Sequence, residues 1–64
     1  MSRYNVYTVE IKTGLVSQIA GINLSESAME KRTMTALMFC DRKNYFVGEL
    51  PASETREVGD KFHA

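Results

Sequence analysis

The residues best suited to chemistry in this 64-residue chain are one cysteine, Cys40, and one histidine, His63. A nucleophilic side chain needs an oriented base beside it, and a structural zinc site needs about four ligands, usually Cys and His. The sequence has no HxxxH or CxxC spacing to assemble such a set. We therefore expect no catalytic group, cofactor or metal, and we interpret Cys40 as a small core residue.

Carboxylates and glycines give no stronger chemical signal. Glu10, Glu49 and Glu54 could supply an acid–base pair, but nothing in the sequence sets their separation. The glycines are too scattered for a phosphate-binding loop. A chain this short can hardly enclose the pocket of about 300–1,000 Å³ that is typical of ligand sites. The sequence therefore predicts a protein without enzymatic activity.

A second group of residues could contact nucleic acid. Its members are Lys31, Arg32, Arg42, Lys43 and Tyr45. On one helix, Lys31 and Arg42 would share nearly the same side, and arginine beside an aromatic ring can bind a backbone and stack on a base. However, Glu30 and Asp41 interrupt this group, and the formal net charge of the chain is zero. Nucleic-acid binding, which normally requires a basic excess, is therefore the alternative hypothesis.

The most informative side chains are apolar. Met34 and Met38 lie one helical turn apart, and Phe39 follows directly. They lie outside the stripe that a helix would turn toward a sheet, which consists of Met29, Thr33, Ala36, Leu37 and Cys40. A domain this small cannot surround a helix, and methionine is common at adaptable binding surfaces. We therefore expect Met34, Met38 and Phe39 to contact a partner.

Composition is that of an ordinary globular domain, with 44% apolar and 25% charged residues. The length allows one domain at most. The core of such a domain contributes no more than about 3–5 kcal/mol, and a single cysteine cannot form an intrachain disulfide. Oligomerisation or partner binding is the expected source of additional stability.

Three features bear on location. The first residues lack the apolar region of a secretory signal, and the longest nearly apolar run, residues 36–40, is far shorter than the roughly 20 residues of a membrane span. A lone thiol suits a reducing compartment. We expect a cytoplasmic protein that does not enter a membrane.

Three segments have the pattern of strands. Residues 4–12 alternate apolar side chains and are rich in β-branched and aromatic types. Gly14 allows a tight turn into a second strand over residues 15–24, in which Gly21 marks a bulge or a close backbone approach. Residues 45–50 form the third strand, and Pro51 ends it because proline cannot donate to a ladder.

A helix is predicted over residues 28–41. Ser27 and Glu30 fit a capping box at its start, with Ser25 as a second cap candidate. Asn44 is expected to follow it in a left-handed conformation. A competing interpretation makes residues 33–40 a strand paired with residues 45–50, but the alternation of side chains there is poor.

Together these elements predict an α+β fold, a small ββαβ domain with one helix packed on one face of a three-stranded sheet. The domain spans residues 1–51, and residues 52–64 form a polar, flexible C-terminal tail in which Val58 and Phe62 could anchor one helical turn. We expect the helix to cover the sheet face that carries Tyr7, Val9 and Ile11. The opposite face, with Tyr4 and Val6, would then be open.

The leading functional hypothesis is a small protein-binding module that acts as a homodimer. Its size and outline are typical of phage- or plasmid-type accessory proteins, which inhibit or regulate a larger macromolecular machine. The expected partner-binding residues are Tyr4, Val6, Met34, Met38 and Phe39. The two alternatives are weak binding of RNA or single-stranded DNA through the basic residues, and a structural subunit whose role is assembly.

Overall fold

The computed structural model describes residues 2–63, which form three strands and one helix. In chain order these are β1 (Tyr4–Glu10), β2 (Val16–Leu24), α1 (Glu26–Phe39) and β3 (Tyr45–Pro51). The order confirms the predicted ββαβ α+β domain. It also confirms a helix, and not a strand, in the segment where both were considered.

The sheet has the order β2-β1-β3, and both outer strands run antiparallel to β1. The connection that contains α1 therefore passes from one edge of the sheet to the other, and α1 contacts all three strands. Residues opposite one another in this register share a face of the sheet. The register thus identifies which side chains face α1.

Two glycines of the β1–β2 hairpin have the roles predicted for them. Gly14 has a φ of 72°, and its amide donates to the Glu10 carbonyl at 2.8 Å. Gly21 lies where the β1–β2 register shifts, as expected for a bulge. A Cβ atom on Gly21 would lie 2.6 Å from Leu24 Cδ1 and 3.2 Å from Arg32 Cγ, so α1 approaches this part of β2 closely.

α1 begins earlier than predicted. Ser25, the second cap candidate, is the N-cap, and its hydroxyl accepts a hydrogen bond from the Ala28 amide at 3.4 Å. The predicted Ser27–Glu30 capping box is wrong, because the helix already starts at Glu26 and Ser27 lies within its first turn. Ser25 and Ser27 were both suitable N-cap residues by sequence. Because β2 ends at Leu24, the helix begins directly after Ser25.

α1 also ends earlier than predicted. Its last residue is Phe39, and Cys40 is already extended. The Asp41 carbonyl accepts from the amides of Asn44 and Tyr45 at 3.1 and 2.9 Å, which makes a separate turn before β3. The left-handed conformation predicted for Asn44 is wrong, since Asn44 does not have a positive φ.

α1 covers the face of the sheet that was predicted to be open. The Thr33 hydroxyl donates to Glu49 Oε2 at 2.6 Å, and Gly21 lies against Arg32. Both Glu49 and Gly21 are directly opposite Val6 in the register. Val6 is therefore buried beneath α1, with 0% of its surface exposed.

The face that carries Tyr7 and Val9 is covered by residues that follow β3, chiefly Phe62. Phe62 is only 5% exposed, and its ring lies edge-on to Tyr7 and Phe46, with centroids 6.2 and 5.7 Å apart. It forms the core together with Tyr7, Val9 and Val16, against which Ile19, Phe46 and Leu50 pack. Ile11, predicted to join this face, lies beyond the end of β1 and is exposed.

Residues 52–63, here called the C-terminal segment, contain no helix or extended strand. The segment is nevertheless bound to the hairpin, because Leu15 and Lys61 form a β-bridge and the Phe62 amide donates to the Gly14 carbonyl at 3.0 Å. The helical turn that Val58 and Phe62 could have anchored is not formed, and of the two residues only Phe62 is buried. Packing of the core thus extends past the predicted domain boundary at residue 51.

Asn5 is a fully buried polar residue in the centre of the sheet. Its Oδ1 accepts from the Asn23 amide at 2.9 Å, and its Nδ2 donates to the Tyr7 hydroxyl at 3.0 Å. The same hydroxyl oxygen accepts from the Arg56 amide at 3.0 Å. One buried network therefore connects β1, the approach to α1 and the C-terminal segment.

Replacing Phe62 tests the role of the C-terminal segment. Phe62→Ala should lower the free energy of unfolding by about 3 kcal/mol, because a buried aromatic ring is lost. Val58→Ala, in the same segment but exposed, should change it by less than about 0.5 kcal/mol. Urea denaturation followed by circular dichroism measures both, and equal effects of the two changes would contradict the packing of this segment.

Gly48 provides a second test of the same contact. A Cβ atom on Gly48 would overlap the Phe62 ring. Gly48→Ala should therefore lower the free energy of unfolding by about 1–3 kcal/mol, whereas in a Phe62→Ala background it should cost much less. A double-mutant cycle by urea denaturation measures this coupling, and additive effects would show that the ring does not lie over Gly48.

Replacing Asn5 tests the buried network. Asn5→Ala should lower the free energy of unfolding by about 1–3 kcal/mol, because the Asn23 amide loses its acceptor. The matched change Asn23→Gly retains that amide and suits the positive φ of 55° at this position, so it should not destabilise the fold. Thermal unfolding and hydrogen exchange of the residue-23 amide provide the measurement. Unchanged exchange in Asn5→Ala would exclude the proposed bond.

Candidate functional site

The strongest candidate for a functional surface is on the outer side of α1. Met34, Met38 and Phe39 are 66%, 75% and 83% exposed, and together they are called the α1 patch. Complete burial of a side chain of this kind stabilises a fold by about 1.5–3 kcal/mol. Because all three are exposed, the isolated domain lacks this stabilisation. A partner that covered the patch would gain much of this energy.

The α1 patch exists because only one side of the helix can contact a three-stranded sheet. Met29 is the buried residue of α1, and Thr33, Ala36 and Leu37 are partly covered. These residues belong to the predicted stripe, which recurs with the helical period. Residues 34 and 38 lie outside that stripe and are directed away from the sheet.

Of the other two predicted partner-binding residues, neither belongs to the α1 patch. Val6 lies in the core under α1 and offers no surface to a partner. Tyr4 is half-buried at the start of β1. The prediction that both lie on an open face is wrong, because α1 packs against that face.

A groove adjoins the α1 patch between α1 and β2. It has a volume of about 250 Å³ and is open to solvent. Ile19, Ala36 and Phe39 contribute apolar surface, whereas Gln18, Arg32 and Thr35 contribute polar groups. Phe39 is therefore a member of the α1 patch that also lines this groove.

The Arg32 side chain, which lines this groove, binds a backbone group of β2. Its Nη1 donates to the Ala20 carbonyl at 2.6 Å. Within residues 2–63, Arg56 and Glu54 form the one ion pair within 4.0 Å, so no described carboxylate pairs with Arg32. Arg32 therefore binds the backbone of the sheet. The sequence alone did not indicate this role.

The predicted nucleic-acid residues lie on different elements. Lys31 and Arg32 are exposed on α1, whereas Arg42 and Lys43 are exposed in the turn before β3. Lys31 and Arg42 do not share a helix face, because α1 ends at Phe39. Tyr45 is half-buried at the start of β3.

The groups considered for chemistry are dispersed. Cys40 is a half-buried free thiol, and His63 is exposed beside the Phe62 ring. Glu10 accepts from the Thr13 hydroxyl, whereas Glu49 accepts from Thr33 on a different element. In the part of the chain from residue 2 to 63, no three His, Cys, Asp or Glu residues lie close enough together to hold a metal ion.

Across the described residues, α1 and its neighbours include no helix with the length and apolar composition needed to cross a membrane.

The exposure of the α1 patch leads to a prediction about stability. Met38→Glu should change the free energy of unfolding by less than about 0.5 kcal/mol, because the side chain makes few contacts. Met29→Ala, on the buried side of the same helix, should lower it by about 2–3 kcal/mol. Urea denaturation of both variants provides the measurement, and a large loss of stability in Met38→Glu would place Met38 in the core.

The chain was also compared with known proteins. No protein family, no curated protein and no solved structure matches it.

Proposed function

We propose that this chain is a non-enzymatic protein-binding module that binds a larger protein through the α1 patch. The observation that carries the proposal is the exposure of Met34, Met38 and Phe39 together on one helix. Large apolar side chains that a small domain exposes as a group are typical of interaction surfaces.

The chemistry of the α1 patch favours a protein partner. Methionine side chains are flexible and polarisable, so they adapt to the shape of an apolar surface. Phe39 adds an aromatic group at the edge of the groove, and aromatic residues are common among those that dominate binding energy. The groove beside it offers the polar groups of Arg32 and Gln18, which could bind main-chain or acidic groups at the border of the interface.

In this proposal the chain acts by occupying a surface of its partner, as an inhibitor or regulator of a larger assembly. Such a role requires affinity and shape, and it requires no cofactor. The flat two-layer form, 34 × 25 × 13 Å, presents a broad surface for a chain of 7.2 kDa.

Affinity capture of the tagged chain from lysate of its native host tests the proposal. A double change, Met38→Glu with Phe39→Ser, should abolish recovery of a stoichiometric protein while leaving the circular dichroism spectrum unchanged. Ile22→Glu, at an exposed apolar position on β2, is the matched control and should retain the partner. Mass spectrometry identifies the recovered proteins, and equal recovery by the unchanged chain and both variants would refute a role for the α1 patch.

Nuclease treatment of half of each lysate separates the alternative function. Recovery that survives nuclease supports a direct protein partner. Recovery that disappears with nuclease, together with an affinity for RNA that falls steeply with salt, would instead support binding through the basic residues.

A further inference from the structure

The sheet has two outer edges, and the edge formed by β2 is covered at its start and at Ala20. The Val16 amide donates to the Asp60 carbonyl, and the Val16 carbonyl accepts from the Gly59 amide, both at 2.8 Å. Farther along, Arg32 binds the Ala20 carbonyl, and register shifts distort the strand. Bulges, basic side chains and covering segments are recognised ways of protecting an edge against further pairing.

The edge formed by β3 has a different character. Beyond its two ends, the Ile11 amide donates to the Asn44 carbonyl, and the Ala52 amide donates to the Arg3 carbonyl, both at 2.9 Å. Hydrogen-bonded positions alternate along an antiparallel pair. Positions 46, 48 and 50 therefore direct their backbone groups toward β1, and positions 45, 47 and 49 direct theirs outward.

Little satisfies those outward groups. The Tyr45 amide donates to the Asp41 carbonyl at 2.9 Å. Among residues 2–63, none pairs with the outward amides of Val47 and Glu49. β3 thus presents a short row of free donors and acceptors, which is the arrangement that accepts another strand.

We propose that a second copy of this chain pairs antiparallel with β3, around a two-fold axis at Val47. The two three-stranded sheets would then form one sheet of six strands. This inference goes beyond the proposed function, because it assigns a second copy of the chain to a surface other than the α1 patch. It uses the β3 edge and leaves the α1 patch free for the larger protein.

The sequence of β3 is self-complementary in this register. Val47 lies opposite the partner's Val47, and the two exchange a pair of backbone hydrogen bonds. Tyr45 lies opposite the partner's Glu49, so the Glu49 amide of each copy donates to the Tyr45 carbonyl of the other. Like charges do not face one another, a condition that an interface with two-fold symmetry must satisfy.

The side chains beside the edge also favour a second copy. Tyr45 and Val47 are half-buried on the face covered by α1, and Phe46 is half-buried on the other face. Phe46 would lie opposite the partner's Gly48, a residue against which the Phe62 ring of the same copy already packs. The Glu49 carboxylate is drawn toward α1 by its bond to Thr33, away from the pairing edge.

Sedimentation equilibrium of the full chain tests the proposal. At about 0.1 mM the mass should approach twice 7.2 kDa and should fall on dilution. Val47→Lys places two like charges at the symmetry axis and should weaken association at least about tenfold. Ile22→Lys, at an exposed position on β2, is the matched control and should remain dimeric.

Val47→Pro and hydrogen exchange test the same pairing without a lysine at position 47. Proline at position 47 removes only an outward amide, so it should leave the β1–β3 ladder and the circular dichroism spectrum intact while preventing dimerisation. In the unchanged chain, the amides of Val47 and Glu49 should become protected as concentration rises. Absence of that protection would overturn the proposal even if Val47→Lys failed to fold.

Four further outcomes separate this inference from the proposed function. A chain that stays monomeric at about 1 mM, or a dimer that persists in Val47→Pro, would overturn pairing through β3. A dimer lost in Met38→Glu but retained in Val47→Pro would also overturn it, since the α1 patch would then hold the second copy. Loss of the captured partner in the α1 patch variant, with the dimer unchanged, would support both assignments.

Discussion

The contact between Phe62 and Gly48 is the constraint on which the rest of this structure depends. A single helix can cover only one face of the sheet, yet the sheet has apolar side chains on both. Gly48 has no side chain, so the Phe62 ring can lie directly against the sheet beside Tyr7 and Phe46. Twelve mostly polar residues after β3 can therefore cover the second face with one buried aromatic group.

The buried hydrogen-bond network around Asn5 fixes two segments of the chain, the one before α1 and the C-terminal segment. Asn5 binds the amide of Asn23, which has a left-handed conformation just before α1. Through the Tyr7 hydroxyl it is also linked to Arg56 in the C-terminal segment. Buried polar groups without partners destabilise a fold. The network therefore favours a single position for each of these two segments. α1 then covers Val6 and exposes the α1 patch.

The two edges of the sheet differ for a related reason. The C-terminal segment crosses from β3 to reach the Tyr7 face and then runs beside the start of β2. This path covers the start of the β2 edge and leaves the β3 edge accessible. The fold thus presents two surfaces of different kinds, the apolar outer side of α1 and the backbone groups of β3. An apolar surface and a strand edge suit different partners, so the small domain has room for two interactions.

Local sequence patterns determined the strands, the helix and their order, the turn at Gly14 and the close approach at Gly21. They also identified Met34, Met38 and Phe39 as apolar residues outside the buried stripe of α1. The tertiary structure decided which face α1 covers, because β1 carries apolar residues on both faces and alternation cannot distinguish them. It also decided the role of Phe62, which depends on the space above Gly48, fourteen positions earlier in the chain. Local periodicity describes neighbours within a strand or helix, whereas contacts of this kind arise only when distant segments pack together.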